Sequence, residues 1–182
     1  AKAMDVPFVT TYHGAYSGKT KLKKRYNSVM AQGDIVIANS NWIAEHVKTE
    51  HGVPFERVVT IPRGVDLEAF DPTNVPVARV KAIREALGLA DDPRKILLLP
   101  GRLTEWKGQL IAIEALAMLA SDERDKLVLV LAGDAQGRNT YVTRLEHAVV
   151  AHGLDRGVIM SEHITDMPAA YLASDIVLAP SV

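Results

Sequence analysis

Two rhythms of apolar residues alternate along this chain. Short runs at Val6–Tyr12, Asp34–Ala38, Val58–Ile61, Ile96–Leu99, Leu127–Ala132, Val158–Met160 and Ile176–Leu178 are rich in β-branched residues or leucine, the mark of strands. Between them, apolar positions recur at helical spacing over Leu22–Gln32, Trp42–His51, Val77–Leu87, Leu110–Leu119, Tyr141–His152 and Met167–Ala173. Strand-like and helix-like segments taking turns predict an α/β layered fold with a mainly parallel sheet. Ile96–Leu99 and Leu127–Leu131 show no polar alternation, so both strands are expected to be covered on two faces.

One tract keeps neither rhythm. Pro62-Arg-Gly-Val-Asp-Leu-Glu-Ala-Phe-Asp-Pro-Thr-Asn-Val-Pro76 is rich in Pro, Gly and Asp, which predicts a connection between two domains. The expected division is 1–76 and 77–182.

Composition narrows the function classes. In 182 residues the hydrophobic share is 48% and the formal net charge is -1, which fits a globular core and gives no sign of nucleic-acid binding. Cysteine is absent, so neither a disulfide framework nor a thiolate nucleophile is available, as suits a reducing compartment. No apolar run approaches the length of a membrane span and no charged-then-apolar leader opens the chain. The expectation is a soluble, cytoplasmic protein. Charge is uneven, however: Lys19, Lys21, Lys23, Lys24 and Arg25 crowd one segment, either a solvated helix face or a patch for anionic lipid or an acidic acceptor.

Candidate chemistry lies where strands end. Lys95-Ile-Leu-Leu-Leu-Pro-Gly-Arg-Leu-Thr-Glu-Trp-Lys-Gly108 carries a strand into a loop with Arg102 and Lys107 between Gly101 and Gly108. Open α/β sheets bind ligands at the carboxyl ends of parallel strands, and cations beside a helix start suit a diphosphate. A solvated loop with incidental charges is the competing reading. Gly133-Asp134 closes the Leu127–Ala132 strand and should lie along the same sheet edge, with Asp134 facing a ligand or capping a turn. His13, before Gly14, ends the first strand and either bonds a phosphate or sugar hydroxyl or serves structure. Neither G-x-G-x-x-G nor G-x-x-x-x-G-K-[ST] occurs, which removes support for a nicotinamide or flavin dinucleotide and for a P-loop. The histidines show no metal-binding spacing, so no metal is expected.

Eight pieces in order make the chain resemble the retaining glycosyltransferases of GT-B architecture, group 1, family 4. They are Thr11-Tyr-His-Gly14, Ile37-Ala-Asn-Ser40, Ile61-Pro-Arg-Gly-Val-Asp66 with Phe70, Gly101-Arg102 with Lys107-Gly108, Leu131-Ala-Gly-Asp134, Asp166-Met-Pro168 with Tyr171, Ala173-Ser-Asp175, and Ala179-Pro-Ser181. The resemblance implies Rossmann-like parallel sheets in two domains, both incomplete here: 1–76 as part of the acceptor-side domain with its linker, and 77–182 as part of the nucleotide-sugar-binding domain. It implies transfer of a sugar, with retention, from a UDP- or GDP-type nucleotide sugar to a saccharide or lipid-linked acceptor, without a separate cofactor. Arg102, Lys107, Gly101 and Gly108 would hold the donor diphosphate. Gly133, Asp134, His163 and Ile164 would line the donor pocket, and His13 would take a catalytic place near sugar and phosphate. Family members carry a Glu-x7-Glu motif shortly after the Pro-Ser tract, and first strands before the segment with which this chain opens. An internal, inactive fragment is therefore expected. The competing classes are a nucleotide-sugar epimerase and a non-catalytic α/β interaction module.

Overall fold

The computed structural model of the chain describes residues 6–14 and 20–181. It forms two compact units, one reaching to Val65 and the other starting at Asp66.

The first unit is a parallel three-stranded sheet, β1 (Val9–Tyr12), β2 (Ile35–Ala38) and β3 (Val58–Thr60), in that spatial order. Helices α1 (Lys21–Asn27) and α2 (Asn41–His51) connect the strands. Pairing starts at Val9 opposite Ile35 rather than at Val6, as expected from the apolar run. The reason is local: the Asp34 carboxylate accepts from the Phe8 amide at 2.8 Å, and the Asp34 amide donates back to the Phe8 carbonyl at 2.7 Å. This reciprocal clasp ends the ladder. The helix expected over Leu22–Gln32 is α only to Asn27 and tightens to 3-10 over Ser28–Ala31, where the Ser28 hydroxyl donates to the Arg25 carbonyl at 2.8 Å. Tyr12, Val36 and Ala38 from one sheet face pack with Ile43, Ala44 and Val47 of α2.

The second unit holds four parallel strands: β4 (Lys95–Pro100), β5 (Leu127–Ala132), β6 (Val158–Ser161) and β7 (Ile176–Val177), in the order β6-β5-β4-β7. Helices α3 (Val77–Ala86), α4 (Gln109–Ala117), α5 (Ser121–Arg124), α6 (Asn139–Ala151) and α7 (Met167–Ala173) complete it. The uninterrupted leucine and valine runs are explained by two-sided burial. Leu99, Leu129 and Leu131 join α4 and α6 through Ile113, Leu116, Leu145 and Val149. The alternate residues Ile96, Leu98, Val128 and Val130 face the layer that contains Leu89 and Ala170. With both faces filled by helices, only the strand ends are left for chemistry. Strand order steps outward from β4 to β6 and then reverses to β7, so the loop after β4 lies at the switch point.

Residues 66–76, expected as a connection, go with the second unit. The Asp66 carboxylate accepts from the amides of Glu68 and Ala69 at 3.1 and 3.0 Å, turning the chain so that Phe70 meets Tyr171 with ring centroids 6.0 Å apart.

Candidate functional site

The loops after β4, β5 and β6 are laced together by their main chains. The Gly101 amide donates to the Ala132 carbonyl at 2.9 Å, the Leu103 amide to the Asp134 carbonyl at 3.1 Å, and the Gly133 amide to the Ser161 carbonyl at 3.3 Å. Gly133 is needed for this approach. A Cβ there would overlap the Gly101 carbonyl oxygen and stand 2.6 Å from its carbon. The result is a cleft of about 540 Å³ lined by Gly101, Arg102, Gly133, Asp134, His163 and Ile164, with Met167 and Tyr171 of α7 closing one side.

Arg102 is exposed at the cleft wall and Lys107 is half-buried beside it. Lys107 extends its stem past Gly101, with Cδ 3.5 Å from the position a Cβ would take. Trp106 gathers the two cations: Lys107 Nζ lies 4.7 Å and the Arg102 guanidinium 5.9 Å from its ring centre, within cation–π range. Lys107 sits on a 3-10 turn, Glu105–Lys107, that precedes α4. Gly108 is buried, with φ of 76°, and its α-carbon is pressed against the Pro180 carbonyl. The close neighbour of Gly108 is therefore backbone, and any side chain here would be excluded twice over.

A buried polar relay fixes the arginine loop. Gln109 is fully buried at the start of α4; its Nε2 donates to the Arg102 carbonyl at 2.9 Å and its Oε1 accepts from the Tyr141 hydroxyl at 3.3 Å. Burial raises the Tyr141 hydroxyl above the ordinary tyrosine value. Arg144 of α6 pairs with Glu105 of the same loop. Gln109, Tyr141 and Trp106 were not singled out from the sequence. Gln109 carried a legible signal, because it shares the helical period of the core residues Ala112, Ile113 and Leu116.

Asp134 uses its carboxylate locally, accepting from the Gln136 amide at 2.7 Å, in the turn-capping manner that competed with a ligand role in the sequence. His163 is exposed, and Ile164 is half-buried against the Ile96 face of the sheet.

His13 belongs to the first unit, where it follows β1. Its carbonyl accepts from Asn39 Nδ2 at 2.9 Å, and its Nδ1 lies 3.2 Å from Arg63 Nη2. Thus the ends of β1, β2 and β3 each contribute one residue to a small cluster. On α1, Lys21, Lys23, Lys24 and Arg25 are all exposed, together with Leu22 and Tyr26; Lys19 lies outside the described residues. Among the described residues no group of three or more His, Asp and Glu is placed to hold a metal ion, and no helix is long and apolar enough to cross a membrane.

Comparison with known proteins matches both units. Residues 1–69 fit the profile of Glycosyltransferase Family 4, and residues 80–182, more than half of the chain, fit that of Glycosyl transferases group 1. A D-inositol 3-phosphate glycosyltransferase of Xylanimonas cellulosilytica is 33% identical over 157 residues, covering 84% of this chain and 36% of that protein. HepE of Anabaena, solved with UDP and glucose, superposes with a TM-score of 0.82 at 27% identity over 96% of this chain and 46% of its own. A glycosyltransferase of Rickettsia africae superposes at 0.81 and 27% identity, over 100% of this chain and 47% of its own. The chain thus spans half or less of the length of these relatives.

Proposed function

This chain belongs to the glycosyl transferases of group 1, and from that premise we propose that it carries the donor-binding part of an enzyme moving a sugar from a nucleoside diphosphate sugar, UDP or GDP type, to an acceptor. The observation that carries the reading is the cleft at the laced carboxyl edge of β4, β5 and β6, with Arg102 on its wall and Lys107 held beside it.

Cleavage of the bond between sugar and phosphate leaves a nucleoside diphosphate on which negative charge grows. Arg102 and Lys107 meet that charge, and the start of α4 adds its dipole. One cation about 4 Å from a phosphate oxygen contributes roughly 4 kcal/mol at an effective dielectric of about 20, before desolvation. Gly133 lets the Gly101 loop close against β5 and Gly101 lets the Lys107 stem pass, which together shape the seat for the diphosphate, while Asp134, His163 and Ile164 border the sugar nucleotide. Gly108 acts beneath the diphosphate by letting α4 start where it does. His13, at the end of β1 in the first unit, is assigned to hydrogen-bonding a phosphate or a sugar hydroxyl.

The transfer proceeds with retention, the departing phosphate accepting the acceptor's proton, and uses the nucleotide sugar as substrate without a separate cofactor. The acceptor is a saccharide or a lipid-linked one at the cytoplasmic face of a membrane. Leu22, Tyr26 and Val29, exposed at helical spacing among Lys21, Lys23, Lys24 and Arg25, suit such a surface. Cosedimentation with anionic vesicles, lost with neutral vesicles, checks that contact.

The donor seat is tested by titration calorimetry of the chain with UDP-glucose and GDP-mannose. One donor is expected to bind, with Arg102→Ala and Lys107→Ala each weakening it about tenfold, or about 1.4 kcal/mol. No heat with either donor in the parent, or equal heats in parent and both variants, rejects the seat.

A further inference from the structure

We infer that Arg63 is a positioning residue that fixes which ring nitrogen of His13 carries the proton, and so leaves Nε2–H as the hydrogen-bond donor that the ring offers. Nothing in the sequence motif around Arg63 announces this. It emerges from where three separate loops converge.

A guanidinium has five N–H donors and no acceptor. Arg63 Nη2 stands 3.2 Å from His13 Nδ1, so this contact is a hydrogen bond only when Nδ1 offers its lone pair. A neutral imidazole has one protonated and one bare nitrogen. With Nδ1 accepting from Arg63, the ring proton is at Nε2. The opposite tautomer would set an N–H against an N–H, and the doubly protonated ring would add a cation facing a cation.

The backbone is held as well as the ring. Asn39 Nδ2 donates to the His13 carbonyl at 2.9 Å, and Asn39 is itself placed by Ser40, whose hydroxyl caps α2 by accepting from the Ile43 amide at 3.2 Å. Arg63 follows β3, whose Thr60 is in register with Ala38. One cluster therefore sets the position of His13 from the end of β2 and the orientation of its ring from the end of β3. Hydrogen-bonding groups fixed in advance need no reorganisation when a ligand arrives.

The chemical consequence is selective. Nε2–H donates to a hydroxyl or a phosphate oxygen, and cannot take a proton from the acceptor while Arg63 stays in place. His13 thus serves as a hydrogen-bond donor through Nε2 and not as a general base. That use of the proton rests on the proposed function; the position of the proton does not.

The test is nitrogen-15 NMR of the imidazoles in the intact chain without ligand, at about pH 9, where imidazoles are neutral. In the parent, the expected pattern is a bare Nδ1 and a protonated Nε2 at His13, with the exposed His147 of α6 as an internal reference for an unconstrained ring. Arg63→Ala should move the His13 shifts toward those of His147, and Arg63→Lys, which keeps one cationic donor, should restore most of the parent pattern. Arg63→Glu replaces the donor by an acceptor and should transfer the proton to Nδ1. Arg63 is exposed, and the parent spectrum alone decides if a variant fails to fold. A protonated Nδ1 in the parent, or unchanged His13 shifts in Arg63→Ala and Arg63→Glu, overturns the inference. Because no nucleotide is present, failure here leaves the donor seat untouched, and failure of the calorimetry leaves this result untouched.

Discussion

Replacing Gly133 by alanine asks whether the laced strand ends are a built surface. The new Cβ would overlap the Gly101 carbonyl oxygen, with the Gly101 carbon at 2.6 Å and the Arg102 nitrogen at 3.3 Å. These obstacles are backbone, so no side chain can swing aside. Gly101 is tied to Ala132 by its amide, and β4 and β5 are paired along their whole length from Lys95 with Leu127 to Pro100 with Ala132. Relief must come from the loop carrying Arg102. Overpacking against rigid backbone lies toward the upper part of the usual range, about 2–3 kcal/mol, offset by about 0.4–1 kcal/mol from a less flexible unfolded chain, a net loss of about 1–2 kcal/mol. With a urea slope of about 2 kcal/mol per molar, the midpoint should fall by roughly 0.5–1 M. Fluorescence of Trp106, whose ring lies 4.7 Å from Lys107 Nζ, follows the loop, and Trp42→Phe removes the other tryptophan. Gly157→Ala is the control, since its Cβ would find Leu154 at 3.6 Å in ordinary contact. A midpoint for Gly133→Ala at or above that of the parent would refute the close approach.

Gln109→Leu keeps the volume but leaves the Arg102 carbonyl with only the Thr104 hydroxyl at 3.4 Å and takes away the acceptor of the Tyr141 O–H, so the melting curve should report a loss of about 1–3 kcal/mol; adding Tyr141→Phe should recover part of it, and simple additivity of the two losses would deny the relay. His51, whose Nε2 is 3.0 Å from the Tyr12 hydroxyl, has its value lowered below 6.5 by burial first, with His46 and Lys24 adding and Glu50 opposing. A depressed group stabilises fully above its unfolded value, so the first unit should lose urea resistance as pH falls below about 6.5; His51→Gln should flatten that slope, and an unchanged slope would count against it. Asp92, held at about 2 by the Arg94 guanidinium, should contribute at most about 2 kcal/mol that vanishes between about pH 4 and 2. Denaturation of Asp92→Asn across that window should show a shallower acid limb, and a parallel one would dismiss the pair.

What was legible in the sequence follows from how each feature is encoded. β5 and α7 begin and end where the pattern places them, because two-sided burial writes an unbroken apolar run and Asp166 caps α7 by accepting from the Ala169 amide at 3.1 Å. Elements set by one or two polar contacts were not legible: the Asp34 clasp that trims β1, the Ser28 bond that ends α1, and the four-residue helix α5. The candidate site divides the same way. Arg102, Gly133 and His163 sit at strand ends, which the alternation of elements announces, and they do line one cleft. Arg63, Asn39 and Tyr141 act through partners 26 to 50 residues away in the chain, and one-dimensional spacing carries no record of such contacts; for Gln109 the spacing records burial but not the partners.

Several residues that carry the family resemblance have a visible structural duty. Asp66 caps the turn that delivers Phe70 to Tyr171. Asp166 both caps α7 and takes a two-pronged pair from Arg79 of α3 at 2.7 and 2.6 Å. Asp175 accepts from the Ile96 amide at 2.9 Å and pairs with Lys95, which fastens β7 against β4. Gly108 makes room for Pro180. These contacts fasten the elements around the cleft, and each engages its carboxylate or backbone within the protein. Substituting Asp175 should therefore weaken nucleotide binding only in proportion to lost stability, whereas Arg102→Ala should weaken binding with the melting temperature unchanged. The two classes separate on a plot of binding against stability, and a point for Arg102→Ala on the Asp175 line would reassign Arg102 from the seat to the scaffold.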